Sequence, residues 1–220
     1  LPVDLAMRVA SQACAGLSRA HDAGVVHRDI KSGNLFLHKN EPGTRIVKLL
    51  DFGIAKVLAE SIDAPGAPHP LAFPTHESVL LGTPNYLAPE LVTHGATSPA
   101  VDVYAAALVL YTLVCGAHPF EGRTRDAVLR AQLEEMPQRP STLSPHRIPP
   151  ALDALIMRAL AKDPRDRPRD AQAFLVALDA AQHASLASEL PTEAGDRQRA
   201  VPVHTEVRAR VVDEVVSAPS

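Results

Sequence analysis

The stretch VVHRDIKSGNLFL, Val25 to Leu37, sets His27, Arg28, Asp29, Lys31 and Asn34 between two apolar runs. Apolar flanks clamp such a loop to a core, and polar groups withdrawn from water there need hydrogen bonds, charge partners or ligands in return. An imidazole, a guanidinium, a carboxylate, an ammonium and an amide in fixed register make a candidate site for charge-handling chemistry.

Further along, Asp51-Phe52-Gly53 and then Ala88-Pro89-Glu90 follow His27-Arg28-Asp29 and Asn34 in order. Together these motifs resemble the catalytic loop, metal loop and segment end of protein kinases. The segments GTPNYLAPE, DVYAAALVLYTLVCGAHPF and DPRDRP extend the likeness to about residue 182. The chain resembles the larger, C-terminal lobe of a Ser/Thr protein kinase, and its HRDIKSGN loop and small-residue style are most similar to bacterial members of that family.

The resemblance implies a role for each position. Asp29 is the expected catalytic base, a carboxylate that accepts the proton of an acceptor hydroxyl and aligns it for in-line attack on the γ-phosphorus. Asn34 and Asp51 are the expected oxygen ligands of Mg2+, which takes hard donors shared with the phosphates of ATP. Lys31 resembles the lysine that offsets charge on the γ-phosphate, and Thr83 the threonine that hydrogen-bonds that aspartate and lysine; the two favour Ser or Thr over Tyr as acceptor. Arg28 is suited to pairing with a phosphate on the activation segment, and Thr75, followed by Ser78, is the expected phosphorylation site. Phe52 is a packing anchor beside the metal ligand, Gly53 permits its turn, and His27 braces the loop. Glu90 and Arg167 resemble a buried ion pair, and Asp102 an acid that anchors the loop backbone.

The elements that must position these groups are legible from periodicity. Leu5, Val9, Ala13, Leu17 and Ala20 recur at helical spacing between Asp4 and Gly24 and predict one amphipathic helix before the loop. NLFLH and RIVKLLDF, separated by KNEPGT, predict a short hairpin. Residues 57–82 lose periodicity and gather prolines. Helices are predicted within 101–115, in TRDAVLRAQLEEM, in ALDALIMRALAKD and in DAQAFLVALDAAQH, the last with Asp170 as N-cap. The expected class is α+β, mainly α, a kinase-like C-terminal lobe over residues 1–182 with a flexible tail over 183–220.

Bulk composition narrows the field. The 220 residues are 46% apolar, enough for one sizeable core. A net charge of −3, with 22 basic and 25 acidic residues and no long block of either sign, gives no reason to propose nucleic acid as a partner. The apolar run after Val101 ends at Gly116 and is too short to span a bilayer. Cys14 and Cys115 sit in apolar helical patterns, which predicts reduced thiols and a cytoplasmic setting.

Some kinase parts do not occur in the sequence: no glycine-rich phosphate loop, no Val-Ala-Ile-Lys strand and no helix glutamate to pair with that lysine. The first residue is also not Met. The expectation is therefore a fragment, inactive alone, whose parent has an N-terminal lobe and acts on protein substrates. The competing readings are a non-catalytic pseudokinase-like binding module and a small-molecule phosphotransferase of the aminoglycoside type.

Overall fold

A computed structural model describes residues 1–39, 45–51, 84–95 and 97–189. Helix α1 runs Val3–Asp22 and buries Ala6, Met7, Ala10, Ala13, Cys14 and Leu17; of the stripe read from the sequence Ala13 and Leu17 are buried, whereas Leu5, Val9 and Ala20 are half-buried at its margin. Strands β1 (Leu35–Lys39) and β2 (Arg45–Leu49) pair antiparallel with Leu37 opposite Val47. The helix lies close against β2, and Gly16 makes that approach possible: a Cβ there would stand 3.1 Å from Leu49 Cδ1. On the same helix Gln12 Oε1 accepts the Val47 N–H at 2.8 Å.

Helices α2 (Pro89–His94), α3 (Pro99–Cys115), α4 (Arg125–Glu134), α5 (Pro140–Leu143), α6 (Pro150–Ala159) and α7 (Ala171–Glu189) follow. Most of them start on a proline, whose fixed φ and missing N–H suit a first turn. α3 lies inside the core, with Ala100 to Tyr111 all buried. Gly116 ends it in the left-handed region at φ 83°, and its N–H bonds Thr112 O at 2.8 Å.

Residues of α1, α3, α6 and α7 form one core, with Leu17, Tyr104, Leu108, Leu110, Leu152, Ile156, Phe174 and Leu178 almost fully buried. Each such side chain contributes about 1.5–3 kcal/mol relative to exposure, so the core fixes where α1 and α3 stand. These two helices in turn carry the loop between them. Phe120, Val128 and Ala131 make a smaller cluster under α4.

Two local departures from the sequence reading have physical reasons. Asn34, expected to open the first strand, ends a 3-10 turn, Ser32–Asn34, because its side chain folds back onto Asp29. α7 runs to Glu189, past the boundary expected after residue 182. No helix among the described residues is long and apolar enough to cross a membrane.

Candidate active site

The loop that follows α1 is held from below by Asp102. This side chain, on the first turn of α3, is 1% exposed; its Oδ2 accepts the His27 N–H at 2.7 Å and its Oδ1 the Arg28 N–H at 2.8 Å. An ionised carboxylate only accepts, so two successive backbone donors suit it. Arg28 sits at φ 63°, a conformation costly for a residue with a side chain, and the bond to Asp102 is one of those that hold it there. Arg28 Nη2 also donates to Thr97 Oγ1 at 3.3 Å.

His27 is fully buried and ties the loop to the end of β2, with Nε2 3.2 Å from Leu50 O. A carbonyl cannot donate, so Nε2 carries the proton, and Nδ1 is left facing the Asp29 N–H at 3.4 Å.

Asp29 stands at the centre. Lys31 Nζ donates to its Oδ2 at 2.8 Å, and Asn34 Nδ2 donates to the same oxygen at 3.0 Å and to the Asp29 backbone O at 2.8 Å. The Lys31 and Asp29 side chains are about one third exposed, whereas Asn34 is buried. Among the described residues the side-chain donors to this carboxylate, Lys31 and Asn34, both bond Oδ2 and turn Oδ1 away from them. With its amide nitrogen committed to Asp29, Asn34 turns its carbonyl oxygen the other way.

Asn34 also joins the loop to β2, because its backbone O accepts the Leu50 N–H at 2.9 Å. The next residue is Asp51, exposed and left-handed at φ 53°. Two backbone strains, at Arg28 and Asp51, therefore flank Asn34 and Asp29. Phe52, Gly53, Thr75, Ser78 and Thr83 lie outside the described residues.

Glu90 and Arg167 meet as a bidentate pair, Nη1 to Oε1 at 2.8 Å and Nη2 to Oε2 at 2.7 Å. Arg167 further donates to Ala161 O, Ala100 O and Lys162 O. Just before α2, the 3-10 turn Pro84–Tyr86 reaches the loop of Asp29 through Tyr86 OH, 3.1 Å from Ser32 Oγ. Both cysteines are free thiols, and burial pushes Cys14 up to about 12 and Cys115 to about 11, which keeps them protonated near neutrality.

Three polar residues at the heart of these contacts had no role in the sequence reading. His21 bridges Asp102 Oδ2, 2.9 Å from Nε2, and the Ala171 N–H, 3.3 Å from Nδ1. Gln132, fully buried, donates from Nε2 to Asn85 O and accepts the Tyr104 hydroxyl at Oε1. Lys162 Nζ donates to Gln132 O at 2.8 Å and Ala131 O at 3.2 Å, and burial lowers its pKa to about 8. A signal for the first two was present: His21 lies four residues after Leu17, and Gln132 four after Val128, so each places a polar group on an apolar stripe.

The protein kinase domain family matches residues 1–183 of the chain. The chain belongs to the protein kinase family. Over 177 residues, 79% of the chain and 31% of the relative, it is 40% identical to the serine/threonine-protein kinase pkn3 of Myxococcus xanthus. It is 34% identical over 211 residues to Pkn1 of the same organism, covering 87% of the chain and 29% of that protein. Against the serine/threonine-protein kinase PkaA of Streptomyces coelicolor the identity is 42% over 167 residues, 76% of the chain and 27% of the relative. The kinase chain thus spans under a third of the length of these curated relatives. These matches do not favour the small-molecule phosphotransferase reading.

Membership of the kinase family implies use of ATP and, typically, Mg2+. Among the described residues no group of three or more His, Cys, Asp or Glu could hold a metal. Asn34 and Asp51 are a donor set of another kind, one amide oxygen and one carboxylate. They fit a cation that takes hard oxygen ligands and fills its remaining positions with water and phosphate.

Proposed function

We propose that this chain is the C-terminal lobe of a protein serine/threonine kinase, over residues 1–182, and that the parent protein transfers the γ-phosphate of ATP to Ser or Thr hydroxyls of protein substrates. The observation that carries the reading is the arrangement around Asp29. Lys31 and Asn34 both bond Oδ2, so the carboxylate is oriented with Oδ1 available to an acceptor hydroxyl.

In this reading Asp29 takes the acceptor proton at Oδ1 and fixes the line of attack on the γ-phosphorus. Lys31 stands within 2.8 Å of Asp29 and offsets negative charge that gathers on the transferred group. Asn34 and Asp51 would hold Mg2+, which when bound neutralises phosphate charge. His27 and Asp102 keep the loop in register through the backbone of β2 and the buried start of α3. In this reading the reaction runs in the cytoplasm, where ATP is supplied. A preceding N-terminal lobe would complete the nucleotide cleft.

The test is Asp29→Asn in the full-length protein. Transfer of phosphate from radiolabelled ATP to a protein acceptor should fall by about 10²–10⁴-fold, the usual worth of a positioned general base, with the melting temperature and ATP affinity close to wild type. Undiminished transfer by that variant would remove Asp29 from the chemistry and with it the assignment.

A further inference from the structure

In the Pro84–Tyr86 turn the Asn85 carbonyl takes two donors from two different places. One is Gln132 Nε2 on α4, from a side chain with no exposed surface. The other is His118 Nε2 at 2.8 Å, from the segment between α3 and α4. Since a carbonyl only accepts, His118 donates, and its Nδ1 takes the Phe120 N–H at 3.2 Å. Both lone pairs of Asn85 O are thereby used.

Behind Gln132 the bonds continue inward. The Tyr104 hydroxyl on α3 donates to Gln132 Oε1 and accepts from Lys162 Nζ at 3.4 Å. In front, Tyr86 sets its ring edge-on to His118, 5.4 Å between centroids, and its hydroxyl meets Ser32, three residues after Asp29. A polar route thus leads from the buried helix α3, through Gln132 and Asn85, to the loop of the base. A fully buried glutamine is costly unless both ends are bonded, and here one end is bonded to the turn that borders the site.

We infer that Gln132 and His118 are positioning residues which hold the Pro84–Tyr86 turn beside Asp29 and so set the affinity for the protein acceptor. The inference rests on the kinase reading above. A polypeptide that brings a hydroxyl to Asp29 must lie on what borders Asp29, and this turn borders it through Ser32. Loss of either donor leaves the carbonyl half-satisfied and the turn free to shift, while Asn34 and Asp51, anchored through β2, stay in place. Acceptor binding is therefore the parameter that responds.

The experiment is steady-state phosphorylation of casein by the full-length protein, with KM for casein and KM for ATP measured separately. Gln132→Met keeps length and loses both polar atoms; His118→Leu loses the donor; His118→Gln retains a donor at a similar reach. Gln132→Met and His118→Leu should each raise KM for casein roughly tenfold, as expected for one lost hydrogen bond of about 1 kcal/mol, with KM for ATP within about twofold, and His118→Gln should restore KM for casein. A thermal melt of each variant accompanies the kinetics. Lower melting temperatures with an unchanged KM for casein would make both residues merely structural, and equal rises in both KM values would overturn the specific link to the acceptor. Undiminished transfer by Asp29→Asn would instead bring down the kinase reading itself, a result distinct from either.

Discussion

Arg167 uses every N–H of its guanidinium: two on Glu90 and three on the carbonyls of Ala161, Ala100 and Lys162. Its side chain has no exposed surface and that of Glu90 is 11% exposed. The two partners are therefore unequal. Arg167→Ala strands a buried carboxylate and three carbonyls, whereas Glu90→Ala leaves an arginine that still has three acceptors. Breaking a buried pair costs about 3–5 kcal/mol, a large part of a typical total of roughly 5–15 kcal/mol. In urea melts Arg167→Ala should lose more than Glu90→Ala, and the double variant much less than their sum. Arg167→Lys should not rescue, since one ammonium cannot reach four partners in a plane. Equal single losses that simply add would show that the pair is not what holds α2 to the core.

At the level of elements, Asp102 couples three of them: α3, on which it sits, α1 through His21, and the loop through two backbone bonds. The consequences of cutting each link differ. Asp102→Ala frees the amides of His27 and Arg28 and removes a bond that holds Arg28 at φ 63°, so amide exchange at both should quicken and phosphate transfer should fall. His21→Phe removes two hydrogen bonds, the one to Asp102 and the one from the Ala171 N–H, each of about 1 kcal/mol, and leaves the loop bonds intact; stability should drop modestly with exchange at His27 and Arg28 unchanged. Faster exchange at those amides in His21→Phe would mean that the helix, not the carboxylate, sets the loop. The elements themselves were largely legible, because α1, α3, α4, α6 and α7 show apolar stripes or continuous apolar runs, and Asp170, expected as an N-cap, accepts the Ala173 N–H at 2.7 Å. The brief helix α5 was not, since Pro140–Leu143 is too short for a period to repeat. The polar loop stood out in the sequence because charged residues interrupt apolar runs there. His118 did not, because its partner is a backbone carbonyl, which no residue type announces, and Gln132 showed only as a polar group on an apolar stripe with no partner to read.

For the molecule as a whole the buried titratable groups bracket a pH plateau. Burial lowers the pKa of His118 from its ordinary 6.5, against weaker opposing effects from the Asn85 carbonyl and Glu121. With the folded value below the unfolded one, the unfolded chain binds the extra proton in the window beneath about 6.5, so stability is lost as pH falls through that window. Cys14, raised from 9.0 to about 12 by burial, acts at the other end: the unfolded chain gives up its proton first, so stability is lost as pH rises between those values. Lys162, lowered from 10.5 to about 8, works the opposite way and adds stability as pH climbs from 8 to 10.5. Urea midpoints should therefore rise from pH 5 to about 6.5 and level off, and His118→Gln should flatten that lower arm relative to wild type. An identical slope in the variant would show that His118 titrates as freely in the fold as in the open chain.

The hairpin beside α1 has a consequence for how this protein keeps to itself. A two-stranded sheet consists wholly of edges, and an unpaired edge is a template on which another chain can add a strand. Gln12 answers the outward N–H of Val47 from the helix, and so withdraws from β2 a backbone donor that intermolecular pairing would need. One glutamine thus covers a backbone donor of β2 next to the exposed Ile46, which leaves less of that edge for a second strand to pair with.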